Sequence, residues 1–309
     1  MENVPLAVPL DDLGVLRARG PDVVAFLQGQ LSNDVAKVSA GRSLLAGYHN
    51  PQGRVIALLR LVQLGPDDLL ALLPRELAPP VASRLSKFVL RAKVKIADES
   101  AAWRITGLIE ATTGATKASA ASANSVEGAG VVVPMDASRS MVVAPAIAGA
   151  QQASDGDAWR RLDIAAGVPQ VYASTSEEFV AQMLNLDVLD AIAFDKGCYT
   201  GQEVIARAHY RGRVKRRLQR FVTPNGAHAK QALAFAPGAS GQLTDGRSFK
   251  VVDSIQLADG RVEFLAVAPA RANETDDAAA DRLEARSEAQ AEHARVDAEQ
   301  LSLPYALPD

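Results

Sequence analysis

The chain has 309 residues, 48% hydrophobic and 22% charged, with a formal net charge of −3. This composition excludes a wholly disordered or fibrous chain, and the length suits two or three subdomains rather than one small core. The slight negative charge supplies no global positive field for nucleic acid, so any RNA contact needs a local basic patch.

Pro21-Asp22 opens a helix whose apolar residues Val23, Val24, Phe26, Leu27 and Leu31 fall at helical spacing, and Asn33-Asp34 ends it. Strands follow over residues 44–48, 55–64 and 68–73, separated by the turn sequences Asn50-Pro51-Gln52-Gly53 and Leu64-Gly65-Pro66-Asp67. The spacing predicts an amphipathic helix over 77–90, then strands over 92–96 and 103–109. Residues 111–130 are rich in Ala, Ser, Thr and Gly and read as a surface excursion. Short strands follow at 131–133 and 141–144, and a helix at 157–166 is stopped by Gly167-Val168-Pro169. Residues 174–189 turn from polar to apolar. From Val204 the pattern becomes short strands at 204–208, 213–222, 241–243, 250–255 and 262–267, a spacing that suits a small barrel or sandwich. Residues 272–296 are rich in Ala, Glu, Asp and Arg and read as a solvated helix or a disordered loop. The apolar character of 301–307 predicts a last barrel strand. Residues 1–10 lack Lys, Arg and a long apolar run, and no stretch reaches the roughly 18 apolar residues of a membrane span. The expectation is a soluble cytoplasmic protein without a signal peptide or membrane partner.

Cys198 is the one cysteine, which excludes an intrachain disulfide, a cysteine-only metal site and a self-contained iron–sulfur centre. It stands in Asp195-Lys196-Gly197-Cys198-Tyr199-Thr200-Gly201-Gln202-Glu203. Gly197 and Gly201 let backbone approach a ligand or take a positive φ. Lys196 is close enough in sequence to favour the thiolate, and Gln202 and Glu203 supply an amide and an acceptor. An inert cysteine in a glycine-rich turn is the bland alternative, but the polar surroundings favour a functional thiol. His209 is the nearest histidine, and nothing in the sequence sets it against Cys198 as a catalytic partner. His49, His209, His228 and His293 show no metal-ligand spacing, so no bound metal is expected.

The octapeptide Lys196 to Glu203 resembles the signature of the YgfZ family, folate-binding proteins related to the T-protein (aminomethyltransferase) of the glycine cleavage system. Phe26-Leu27-Gln28-Gly29-Gln30 with Asn33-Asp34-Val35 is similar to the family's N-terminal motif. Val89 to Val94, Ala165-Ala166-Gly167-Val168-Pro169, Gln182 to Leu186, Arg207 to Arg217 and Leu303-Pro304-Tyr305 extend the resemblance over nearly the whole chain. It implies an α+β fold, a ring of three subdomains around a folate-sized opening. Two mixed α/β subdomains would interleave within residues 1–203. A C-terminal β-barrel would fill 204–309, with the charged insertion at 272–296. The implied cofactor is tetrahydrofolate or a derivative, with or without a polyglutamate tail. The implied partners are iron–sulfur enzymes, tRNA-modifying ones included, or their assembly proteins.

Two departures bear on chemistry. Ala57 and Leu58 stand where the resemblance leads to the T-protein's active-site carboxylate, and Ala165 where a second would grip the pterin. Glu203 and Asp187 are the substitutes available in sequence. The losses argue against the alternative reading, a folate-dependent aminomethyl or methyl transferase. The family's two ligand-flanking aromatics fall at Trp159 and at Leu13. An indole at Trp159 either stacks on a pterin or packs between subdomains, while Trp103 reads as core.

Arg207, His209, Arg211, Arg213, Lys215 and Arg217 occupy alternate positions and share one face if the segment is a strand. This reads as a solvated barrel face or as a site for a polyanion. A folate polyglutamate tail on Arg207, Arg211 and Arg213 fits the acidic chain better than direct tRNA contact.

Overall fold

The computed structural model describes residues 5–110, 130–146, 156–212, 214–224, 235–270 and 295–308. In chain order its strands are β1 (Leu6–Pro9), β2 (Leu13–Arg19), β3 (Leu44–His49), β4 (Val55–Gly65), β5 (Asp68–Pro74), β6 (Lys95–Asp98), β7 (Trp103–Ile109), β8 (Val131–Pro134) and β9 (Arg139–Pro145). They continue as β10 (Arg216–Val222), β11 (Ser240–Leu243), β12 (Ser248–Gln256), β13 (Val262–Pro269), β14 (Arg295–Val296) and β15 (Glu299–Leu301). Among the described residues the α-helices are α1 (Val23–Gln28), α2 (Ala78–Ser86), α3 (Asp157–Ala165) and α4 (Gln202–Arg211).

The strands form three sheets, ordered β1-β7-β9-β8, β3-β4-β5-β2-β6 and β14-β11-β12-β13-β10-β15. The five-stranded sheet is apolar on both faces, which is why β4 and β5 lack the polar alternation of a half-exposed strand. Leu61, Leu69 and Leu73 enter one core with α1 and α2. Their neighbours Val62, Leu70 and Leu72 point the other way, into a core shared with Ile105, Val143 and Trp159 of the four-stranded sheet and α3. The six-stranded sheet curls around Phe264, whose ring lies 5.3, 4.9 and 5.6 Å from those of Phe221, Phe235 and Phe249.

Several expectations are corrected. The sequence reading assigns no strand before Pro21, yet β1 and β2 pair with β7 and β5. The helix expected over 77–90 ends at Ser86, after Pro79 and Pro80 in its first turn. Residues 204–208 are helical, not extended. Of residues 301–307 only Leu301 is in a strand, and Tyr305 instead donates its hydroxyl to the Gly167 carbonyl at 2.8 Å. Among the described residues the six-stranded sheet is open between β14 and β15, a curled half-barrel rather than a closed barrel. Nearly all of the 272–296 insertion lies outside the described residues.

Candidate functional site

A cleft opens where α3, the start of β2 and the segment after Gly167 meet. Two adjoining open hollows share Leu13, Met141, Asp163, Val168, Pro169 and Gln170. Trp159 and Asp163, one helical turn apart on α3, both line it, with Leu13 from β2. The structure thus brings together Trp159 and Leu13, the two positions singled out in sequence.

Trp159 is held on both counts that matter for stacking. Its indole packs on Gly107, where a Cβ would come within 2.3 Å of the ring. The Arg139 guanidinium sits over it, 5.0 Å from the centroid. A flat ligand stacked on that face would have to displace Arg139. The Trp159 Nε1 is buried without a hydrogen bond of good geometry, although it lies close enough to the Asp163 carboxylate to help hold its pKa down.

Asp163 is the cleft's principal acid, and the sequence reading passed over it. It pairs with Arg139 at 2.8 Å, and Arg139 also takes Asp136 at 2.7 Å. Burial raises the Asp163 carboxyl above the usual carboxylate value, against the pull of Arg139. Arg60 from β4 lines the same cleft; burial lowers its pKa and Asp163 works against that. The available signal was spacing, since Asp163 lies four residues after Trp159 and so shares its face of the helix. The expected substitutes are elsewhere: Asp187 forms a two-pronged pair with Arg217 at 3.0 and 2.9 Å, and Glu203 is exposed.

The cleft wall is tied to the six-stranded sheet by a buried polar cluster. Arg160 of α3 meets Asp253 of β12 at 2.9 Å and donates to the Tyr172 hydroxyl at 2.6 Å; that hydroxyl donates to Asp253 at 3.1 Å. Burial pushes the Asp253 carboxyl up to about 6, with Arg160 opposing.

The cysteine loop is anchored on both sides of an exposed thiol. The Lys196 ammonium donates to the backbone carbonyls of Gln28, Leu31 and Asn33 at 2.7, 2.7 and 2.8 Å. An ammonium has three donors and all three are used, so Lys196 makes no hydrogen bond to the Cys198 sulfur, and the contacts it does make hold the loop in place. Burial lowers its pKa to about 8, with the Asp34 carboxylate opposing. Tyr199 is buried with its ring 5.2 Å from the Lys196 Nζ. Gly201 has φ +82°, and a Cβ there would meet the Asn50 carbonyl oxygen at 2.5 Å. Gly197 faces open space. Gln202 and Glu203 begin α4. His49, under the loop and 6.2 Å from the Tyr199 ring, is buried with neither ring nitrogen hydrogen-bonded.

The basic face expected over 207–217 does not exist as such. Arg207, His209 and Arg211 lie on α4, Arg217 on β10, and Arg213 lies outside the described residues. Arg207 pairs with Glu203 at 3.0 Å, and His209 stacks on Phe194 at 3.8 Å. Ile205, the buried residue of α4, supplies the contact that makes this segment helical despite its alternating charges.

These sheets and this cleft define the T-protein class of fold. Aminomethyltransferase T of the glycine cleavage system from Bartonella henselae aligns over 86% of this chain and 78% of its own, with a TM-score of 0.59 and 13% identity, a likeness of fold alone. The chain belongs to the YgfZ family. It is 32% identical over 285 residues, 86% of this chain and 85% of the relative, to the tRNA-modifying protein YgfZ of Yersinia pseudotuberculosis serotype O:1b (strain IP 31758). An uncharacterized protein of Haemophilus influenzae is 30% identical over 217 residues, 68% of this chain and 71% of that one. No family model matches. No helix among the described residues is long and apolar enough to cross a membrane.

Proposed function

We propose that this chain is a folate-binding accessory protein that supports iron–sulfur enzymes, tRNA-modifying ones among them, through the thiol of Cys198. The observation that carries the folate part is the cleft lined by Trp159, Leu13, Asp163 and Arg60, with Asp163 held by Arg139. A 2-amino-4-oxo pterin offers adjacent N–H donors beside a carbonyl oxygen. A carboxylate and a guanidinium are the groups that match those two edges. Leu13, Met141 and Pro169 supply apolar walls for the ring. Bound folate would bring a one-carbon carrier; this chain's own residues would bind and orient it.

The relatives' name, tRNA-modifying protein, supports a place in tRNA modification. With one cysteine the chain cannot hold a cluster by cysteines alone, so the support is thiol-assisted assembly, repair or protection. Calorimetric titration with tetrahydrofolate, with and without a polyglutamate tail, tests the folate part. Saturable heat together with a change in Trp159 emission in Trp103→Phe protein is expected, and the absence of both would overturn it. For the thiol, a deletion strain complemented with Cys198→Ala should fail to restore tRNA methylthiolation, and full rescue would remove the thiol from the proposal.

A further inference from the structure

The structure does contain a local basic patch, and it lies outside the 207–217 segment. After α2 ends at Ser86, a tight turn carries the chain into β6, the edge strand of its sheet. Phe88 and Leu90 on this turn are 51% and 87% exposed, which is unusual for large apolar side chains. Lys87, Arg91, Lys93 and Lys95 surround them and are exposed. Among the described residues none of these four makes an ion pair, whereas Arg207 and Arg217 do. No acid occurs between Lys87 and Ala97. The neighbouring carboxylate, Asp22, accepts the Lys93 backbone N–H at 2.7 Å.

We infer that this turn is a docking site for single-stranded RNA. Four uncompensated cations within residues 87–95 repel one another, and a polyanion relieves that repulsion. Phe88 presents an aromatic ring on which an unpaired base stacks, with Leu90 as an apolar wedge beside it. RNA offers such bases in its loops, where they are splayed away from a helix. A membrane is the weaker occupant, because two apolar side chains fall short of what stable anchoring takes. The turn's backbone N–H groups at Phe88, Val89 and Leu90 bond to Leu85, Ser86 and Phe88 carbonyls, so the tip keeps its shape without a ligand. The site is separate from the cleft and does not depend on folate binding.

The test is fluorescence anisotropy of an unstructured 12-nucleotide RNA with the full chain over a range of salt. Each phosphate neutralised contributes about 0.7 to the slope of log K against log salt, so four cations predict a slope of about −2.8. Arg91→Ala with Lys93→Ala should weaken binding and cut the slope to about −1.4. Phe88→Ala should weaken binding roughly tenfold with the slope unchanged. These side chains are exposed, so circular dichroism and melting temperature should match wild type. Absence of binding at about 50 mM salt, or variants that bind as wild type does, would overturn the site. So would association with phosphatidylglycerol vesicles in place of RNA.

Discussion

Replacing Lys196 by methionine keeps the apolar stem and removes the ammonium. Three carbonyl oxygens then lose their donor, and two belong to the buried residues Leu31 and Asn33. Leaving a buried acceptor unpaired costs about 1–3 kcal/mol, while the cost of burying the ammonium is relieved. A net loss of about 3 kcal/mol follows, which moves a urea unfolding midpoint by about 1 M. Equilibrium urea unfolding of Lys196→Met measures this directly. Iodoacetamide labelling of Cys198 at pH 7 in the folded protein gives the second readout. An unchanged midpoint with clearly slower labelling would refute the reasoning, because the ammonium would then be serving the thiolate and not the backbone.

His49 has its pKa pushed down by burial to about 3, so below its ordinary value of 6.5 the unfolded chain takes up a proton that the folded chain does not. Its stability contribution is therefore present above pH 6.5 and lost as pH falls. Wild type should lose about 2.3 kcal/mol relative to His49→Leu between pH 6.5 and 4.5. The difference profile is the measurement to use, since Asp253, raised to about 6, gains stability as pH falls through that value; parallel profiles would refute the assignment. Gly201→Ala should cost about 2 kcal/mol or more, and Gly197→Ala less than about 0.5, by thermal melting; equal shifts would contradict the loop geometry. Tyr172→Phe removes the hydroxyl between Arg160 and Asp253 and should cost about 1–2 kcal/mol in urea unfolding, with no change if solvent takes its place.

The sequence made the strands of the central sheet legible because β4 and β5 are long apolar runs, interrupted in β4 by Arg60 and Gln63, and set off by turns that contain Pro and Gly. The cleft positions Leu13 and Trp159 were legible through the resemblance. What was not legible depends on contacts far along the chain. Arg207, His209 and Arg211 alternate as a strand would, but one buried contact at Ile205 and the left-handed start at Gly201 make the segment a helix. Phe88 and Leu90 fall within the amphipathic helix expected over 77–90. Only the helix end at Ser86 shows them facing solvent. Asp163 was hidden because its value as a cleft group depends on Arg139, 24 residues earlier, and on Arg60.

The five-stranded sheet, buried on both faces, has a consequence for how the molecule comes apart. Two hydrophobic cores lean on the same strands, so neither can loosen without stripping the other of one wall. Denaturation of this part should be a single cooperative event, and amides of β4 and β5 should be among the slowest to exchange with solvent. The curled sheet has a phenylalanine core on one face, but Leu218, Val252, Ile255, Leu265 and Val267 on its other face join the core of α1 and α2. It is therefore tied to the same cooperative unit, and only its phenylalanine side can loosen without stripping that core of a wall.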